Sequence, residues 1–171
     1  NVYSKQQLSF EFPELKNIGK YLNAKEVILD SEAVGVDEKT KVLANFQTTM
    51  SRRRKHEIEK FTASLPIKFY VFDILYKDGK SLIDLDYVKR RKVLESTVKK
   101  SNIFEVVDYQ ITDKAEEITI QNTQRRKEGF EGIIIKKLES GYVPGRTGWR
   151  WVKMKEAEAS VGKLADTVDC I

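Results

Sequence analysis

Apolar and polar positions along the chain follow two periods, and this mixture predicts both strands and helices. Alternating or continuous apolar runs rich in Val, Ile, Phe and Tyr, bounded by turn residues, are typical of β-strands. The predicted strands are Val2–Ser4, Val27–Val36, Ile67–Tyr76, Ile103–Tyr109, Gly132–Leu138 and Trp149–Met154.

Helical spacing appears between these strands. Leu15, Ile18 and Leu22 follow Pro13 at intervals of three and four, which predicts a helix that begins near Pro13. The predicted helices are Pro13–Tyr21, a polar arm at Gln47–Lys60, Leu85–Val98, and a helix from the N-cap Thr112 to Lys127. Because the order lacks strict βαβ alternation, we expect an α+β fold with largely antiparallel β-sheets flanked by helices.

Composition narrows the class of protein. The chain has 171 residues, 40% hydrophobic and 33% charged, which is the size and composition of one globular domain. It has no apolar run that could span a bilayer and no signal-peptide pattern at Asn1–Lys5. We therefore expect no membrane partner.

Cysteine and histidine, the usual ligands of zinc, are nearly absent from the chain. One cysteine, Cys170, excludes an internal disulfide and a Cys-rich zinc site, and one histidine, His56, excludes a multi-histidine site. A metal ion here would need carboxylate ligands, which favours Mg²⁺.

The net charge is +5, and basic residues are concentrated at Arg52–Lys55 and Lys89–Lys92. Such clusters are typical of a surface that binds a phosphate backbone, and equally of a solvated helix face. Charge alone leaves both interpretations open.

The segment Glu131-Gly132-Ile133-Ile134-Ile135-Lys136 has an acid and a lysine at the two ends of an apolar run. Side chains alternate faces along a strand, so this odd spacing separates Glu131 from Lys136 unless a bulge or twist intervenes. By the same period, Glu32 shares a face with Asp30, while Lys153, Lys155, Trp151 and Trp149 share another. Structural roles at strand edges and in the core would also explain all of these residues.

Three other segments carry related patterns: Leu29-Asp30-Ser31-Glu32, Phe69-Tyr70-Val71-Phe72-Asp73 and Trp151-Val152-Lys153-Met154-Lys155. With Glu131–Lys136, and in this order, they resemble motifs III, IIIa, IV and V of the covalent nucleotidyltransferases. The chain most resembles the ATP-dependent DNA ligases. The resemblance implies the nucleotidyltransferase fold of DNA ligases and mRNA capping enzymes (ATP-grasp-like), incomplete at its N-terminus.

The resemblance also implies roles for individual residues. Nucleotide binding would involve Glu32, Phe72, Lys136, Lys153 and Lys155, with Phe72 stacked on adenine and the lysines around the α-phosphate. Glu131 and Glu32 would hold the metal. The implied cofactors are ATP, as the AMP donor, and Mg²⁺.

Two segments resemble parts of DNA ligases that contact DNA. Phe46–Lys55 resembles a segment of cellular DNA ligases, which implies that Arg52, Arg54 and Lys55 contact the DNA backbone. Ser4-Lys5 resembles the Ser-Arg of motif Ia, but Lys5 lacks the bidentate fork of arginine. The implied partner is nicked double-stranded DNA, as in replication, repair and recombination, and we expect no oligomer. The implied location is intracellular, in prokaryotic cytoplasm or a eukaryotic nucleus.

The resemblance divides the chain into a partial adenylation domain at 1–162 and the start of a connection into an OB-fold domain at 163–171. N-terminal DNA-binding domains would also belong to the full-length protein. The family's nucleophile is the lysine of Lys-x-Asp-Gly, expected upstream of this chain. Tyr76-Lys77-Asp78-Gly79 lacks the spacer, so Lys77 is interpreted as a hairpin residue and the chain is expected not to adenylylate itself.

Two alternatives remain at this stage. One is an RNA ligase or capping-type nucleotidyltransferase on the same fold, which Phe46–Lys55 argues against. The other is a truncated, catalytically dead DNA-binding module, whose affinity for nicked DNA would fall steeply with salt.

Overall fold

The computed structural model describes residues 13–36, 66–128, 130–145 and 148–155. They belong to two compact units, one within Asn1–Leu82 and Lys89–Asp108, the other within Ile83–Val88 and Tyr109–Ile171. The elements predicted at Val2–Ser4 and Gln47–Lys60 lie outside the described residues. In the described part of the chain, no helix has the length and apolar character needed to cross a membrane.

The central strand of the first unit is β2. The strands of its sheet are β1 (Val27–Gly35), β2 (Ile67–Lys77), β3 (Lys80–Ser81) and β4 (Phe104–Val106). β2 pairs antiparallel with β1 and β3 and parallel with β4. The predicted α+β class with largely antiparallel pairing is confirmed, and β4 is shorter than predicted and the parallel exception.

The two faces of β2 differ in burial. Ile67, Phe69, Val71 and Asp73 are buried, while the residues between them are half-buried. This alternation is expected of a strand with one face on the core. The core also contains Ile74, Leu94, Val98 and Phe104, and the Phe69 and Phe104 ring centroids lie 5.7 Å apart.

The helix α1 (Tyr87–Thr97) contributes two arginines to this core. Arg90 is fully buried and forms a bidentate ion pair with Asp73, with Nε 2.8 Å from Oδ1 and Nη2 3.0 Å from Oδ2. Arg91 is 6% exposed and bonds Glu95 at 2.7 Å. These two arginines therefore belong neither to a phosphate-binding surface nor to a solvated helix face, because both are buried. Arg90 shares the inward face of α1 with Leu94, four residues later.

The segment Pro13–Tyr21 is a 3-10 helix, with a break at Asn17, where φ is −124°. The predicted helix is therefore correct in position but differs in type. Backbone hydrogen bonds from Asn23 to Thr97 (2.7 Å) and from Lys99 to Tyr21 (2.9 Å) connect its end to the end of α1.

The second unit contains α2 (Ala115–Lys127), β5 (Gly132–Lys136) and β6 (Trp151–Lys155), and the two strands pair antiparallel. The N-cap of α2 is Lys114, so the predicted N-cap Thr112 is wrong by two residues. The Thr112 hydroxyl instead accepts the Lys114 backbone N–H at 3.0 Å.

Trp149 does not lie on a strand. It is in a short 3-10 helix, Gly148–Arg150, and is 91% exposed. The prediction that Trp149 shares a strand face with Lys153 is wrong, because the chain turns at Gly148, where φ is +56°, before β6 begins.

Candidate active site

Glu32 and Phe72 lie on two paired strands of the first unit's sheet, β1 and β2. Glu32 is exposed on β1 and lies directly opposite Tyr70 of β2. Residues directly opposite in an antiparallel pair share a face, and so do residues two apart on one strand. The exposed Glu32 carboxylate therefore shares a face with the Tyr70 ring, two residues before the half-buried Phe72.

Phe72 sits at an irregularity of the β1–β2 ladder. The register passes from Asp30↔Asp73 to Ser31↔Val71 and skips Phe72. A β-bulge of this kind bends the strand locally and changes the direction of a side chain. A second shift, between Ile28 and Leu29, lies a short distance along the same pair of strands.

Three further side chains on this face were not singled out from the sequence. Lys68 forms an ion pair with Glu105 of β4, and Glu105 is the register partner of Tyr70. The Lys68 Nζ lies 5.5 Å from the Tyr70 ring centroid. Burial raises the pKa of the Tyr70 phenol; nearby Lys68 opposes this rise and Glu105 adds to it. The pairing of β4 with β2 brings Glu105 next to Lys68 and Tyr70.

In the second unit, Glu131 and Lys153 form an ion pair. The Lys153 Nζ donates to Glu131 Oε2 at 2.8 Å, and the two side chains are 49% and 66% exposed. Lys153 lies opposite Ile134 on β5. Lys136 is two residues after Ile134 on β5, so Lys136 and Lys153 are on the same face of the strand pair. The Glu131 carboxylate therefore reaches the lysine face despite its odd spacing from Lys136.

Gly132 lies between Glu131 and the strand. Its φ is +151°, and a Cβ at this position would be 2.0 Å from the Met154 carbonyl oxygen and 3.1 Å from Asn122 Oδ1. An L side chain would be strained and in collision there. β5 and β6 approach this closely only because residue 132 is glycine, and the Asn122 amide is buried beneath it.

Lys136 lies between aromatic rings. Its Nζ is 3.8 Å from the Trp151 ring centroid and 4.6 Å from that of Tyr87, both within cation–π range. Tyr142 packs edge-on against Trp151 with centroids 5.3 Å apart. We call Lys136, Tyr87 and Trp151 the aromatic clamp.

The remaining predicted site residues are described only in part. Lys155 pairs with Gly132 at the end of β6, and its side chain lies outside the described residues. So do Lys5, Arg52, Arg54 and Lys55, the predicted DNA contacts.

Lys77 occupies the end of β2, next to the hairpin, as predicted. Its Nζ donates to Thr97 Oγ1 at 3.0 Å. Asp78, in the turn, accepts the backbone N–H groups of Lys25 (2.7 Å) and Glu26 (3.0 Å). These two hydrogen bonds to the charged form lower the pKa of the Asp78 carboxyl.

Exposed carboxylates in each unit are ligands of the type that a hard cation prefers. Among the described residues, no group of three or more His, Cys, Asp or Glu side chains is arranged to hold a metal ion. Mg²⁺ needs only one or two carboxylates when substrate phosphates and water complete its shell. Glu32 and Glu131, both exposed, each offer one carboxylate within their own unit.

Comparison with known proteins identifies the family. The family described as ATP dependent DNA ligase domain matches residues 4–155. A probable DNA ligase of Dictyoglomus turgidum is 34% identical over 161 residues, which cover 94% of this chain and 27% of that protein. DNA ligase 1 of Methanosarcina barkeri is 35% identical over 164 residues, covering 91% and 30% respectively.

A solved structure supports the same family. A structure described as mycobacterial DNA ligase D complexed with ATP and MES has a TM-score of 0.63 and 30% identity, over 88% of this chain and 44% of that one. The predicted nucleotidyltransferase fold is confirmed by this likeness. The chain spans 27% and 30% of the length of the two curated relatives above. Because the family match covers residues 4–155 of 171, the chain belongs to the ATP-dependent DNA ligase domain family.

Proposed function

We propose that the full-length protein containing this chain seals nicks in double-stranded DNA with ATP, and that this chain supplies much of the nucleotide pocket. The observation that carries the proposal is the grouping of the motif residues within each unit. Glu32 lies opposite Tyr70 on the paired strand, two residues from the half-buried Phe72. The Lys153 ammonium contacts Glu131 and shares a strand face with Lys136.

In the proposed reaction, a lysine amine attacks the α-phosphorus of ATP and forms a phosphoramidate bond as pyrophosphate leaves. The AMP group passes to the 5′-phosphate at the nick. The 3′-hydroxyl then attacks that phosphate and AMP leaves. The 171 residues contain no Lys-x-Asp-Gly, so we propose that the nucleophile lies elsewhere in the full-length protein.

The residues of the first unit would bind the nucleoside. The adenine base would stack on the Phe72 ring. Aromatic–purine stacking does not require a fully buried ring, so the half-buried Phe72 can provide it. The exposed Glu32 carboxylate would accept hydrogen bonds from ribose hydroxyl groups or contribute to metal binding.

The residues of the second unit would bind phosphate. Lys136, Lys153 and Lys155 would place positive charge where negative charge develops on the α-phosphate in the transition state. Glu131, with Glu32, would hold Mg²⁺, which supplies charge neutralisation to the phosphates when bound. The Glu131–Lys153 ion pair would hold the two side chains close to each other before the nucleotide arrives.

DNA contacts and further domains complete the proposal. Lys5, Arg52, Arg54 and Lys55 would bind backbone phosphates without reading sequence. Residues 1–162 would form part of the adenylation domain, and 163–171 would lead into an OB-fold domain, with N-terminal DNA-binding domains in the same intracellular protein.

A labelling and sealing assay tests the proposal. The full-length protein, incubated with α-labelled ATP and Mg²⁺, is expected to carry label through denaturing electrophoresis and to seal a nicked DNA duplex. The 171-residue chain alone is expected to stay unlabelled, and Lys77→Met in the full-length protein is expected to retain labelling. A labelled 171-residue chain would contradict the assignment of the nucleophile, and sealing of nicked RNA but not of nicked DNA would contradict the choice of substrate.

A further inference from the structure

Asp73, which forms a buried ion pair with Arg90, directly follows Phe72 in the sequence. We infer that Asp73 and Arg90 are positioning residues, which hold β2 in the bulged geometry that presents the Phe72 ring to the adenine base. The inference rests on the proposed stacking role of Phe72.

The β1–β2 ladder fixes Phe72 less directly than it fixes its neighbours. The register skips Phe72 on one side of Asp73, and the second shift, between Ile28↔Tyr76 and Leu29↔Ile74, lies on the other side. A regular ladder specifies which side chain points to which face, and a bulge relaxes that specification. Something other than the ladder must hold β2 between its two irregularities.

The Asp73 carboxylate is well placed to hold it. Arg90 donates two hydrogen bonds, Nε to Oδ1 at 2.8 Å and Nη2 to Oδ2 at 3.0 Å. The Ile74 backbone N–H also donates to Oδ1 at 2.9 Å. The same carboxylate therefore fixes a side chain of α1 and the β2 backbone one residue beyond it.

Stability alone is a weak reason for this pair. Asp73 is 1% exposed and Arg90 0% exposed, so both charges lose nearly all their hydration. The desolvation of a buried pair commonly cancels its electrostatic attraction, and apolar replacements of similar volume are often as stable or more stable. What an apolar pair does not reproduce is the bidentate geometry, which accepts only one relative placement of helix and strand.

The test replaces the pair by an apolar one in the full-length protein, Asp73→Leu with Arg90→Met, and measures thermal unfolding and equilibrium binding of ATP. We expect the unfolding midpoint to stay within a few degrees, or to rise, while ATP affinity falls about fivefold or more, the scale of one base–aromatic stacking contact. Binding of inorganic tripolyphosphate, which has no base, is expected to be unchanged.

A double-mutant cycle with Phe72→Leu determines whether the pair acts through the ring. If it does, adding the apolar pair to Phe72→Leu lowers ATP affinity no further. Additive losses, equal losses for ATP and tripolyphosphate, or unchanged ATP affinity in the apolar-pair variant would each overturn the inference. If Phe72→Leu itself binds ATP like the unmodified protein, the stacking role in the proposed function fails, and this inference fails with it.

Two further variants guard against loss of folding. Arg90→Lys keeps the charge and loses the fork, and we expect it to fold and bind ATP at least twofold more weakly; normal ATP binding by a folded Arg90→Lys protein would also overturn the inference. Arg125→Gln removes an exposed pair with Glu128 of similar length, 3.0 Å, and is expected to change neither readout.

Discussion

The aromatic clamp predicts a measurable coupling between Lys136 and Trp151. The change is Lys136→Met, which keeps an unbranched side chain and removes the charge. The Lys136 Nζ lies 3.8 Å from one ring centroid and 4.6 Å from the other. A cation–π contact contributes about 0.5–1 kcal/mol when exposed and ~2 kcal/mol when desolvated. Lys136 is half-buried and Tyr87 is 6% exposed, so we expect the free energy of unfolding to fall by about 1–2 kcal/mol.

The assay is a double-mutant cycle of urea unfolding. Unfolding is monitored by circular dichroism and not by tryptophan fluorescence, because one substitution removes a tryptophan. Trp151→Leu alone should cost more than Lys136→Met, since it also removes the edge-on contact with Tyr142. The interaction energy between Lys136→Met and Trp151→Leu should be about 1 kcal/mol.

Lys137→Met is the matched control for this cycle. Lys137 is the next residue and is exposed, so its interaction energy with Trp151→Leu should stay below about 0.5 kcal/mol. If the Lys136 cycle gives no more than the Lys137 cycle, the rings do not hold the ammonium and the argument is wrong.

Three more predictions concern stability, binding and pH. Gly132→Ala should lower the free energy of unfolding by about 2–3 kcal/mol, because alanine is strained at this positive φ and its Cβ would collide with the Met154 carbonyl. Gly148→Ala, which has a positive φ but open space around it, should lower it less. Equal losses in urea unfolding would contradict the collision. Lys153→Met should change the free energy of unfolding by less than about 1 kcal/mol, since its ion pair is exposed, yet weaken ATP binding in calorimetry about tenfold or more; a large stability loss with normal binding would mark it as structural. The pKa of the Asp78 carboxyl is lowered from 3.8, so its charged form stabilises the fold above that pH and this stabilisation is lost as pH falls through the lower, folded pKa. Asp78→Asn should therefore flatten the acid limb of stability against pH below about pH 4, and an unchanged acid limb would refute this.

The sequence predicts the strands that carry the motifs, because their apolar alternation is strong. β1 and β2 lie where expected. The family resemblance that includes Glu32 and Phe72 depends only on the order of the motifs along the chain, which the sequence contains. The bulges opposite Asp30 and Leu29 could not be predicted, since register depends on pairing between segments roughly 40 residues apart in the chain.

Charge patterns were the least informative part of the sequence. The cluster Lys89–Lys92 gives no local sign that Arg90 meets an aspartate 17 residues earlier. The odd spacing of Glu131 and Lys136 did signal an irregular strand entry, and Gly132 provides it. The ion pair of Glu131 with Lys153 depends on β5–β6 register, which the residues between the two strands do not reveal.

The β5–β6 pair has a consequence for motion. Among the described residues it is a two-stranded ribbon, and such ribbons are marginally stable when isolated. β2, by contrast, is hydrogen-bonded to three other strands. We therefore expect amide hydrogens of β5 and β6 to exchange with solvent through local opening, and those near Val71 only through unfolding of the whole first unit. Glu131 and Lys153 would then belong to a segment that opens and closes many times while the sheet bearing Phe72 stays intact.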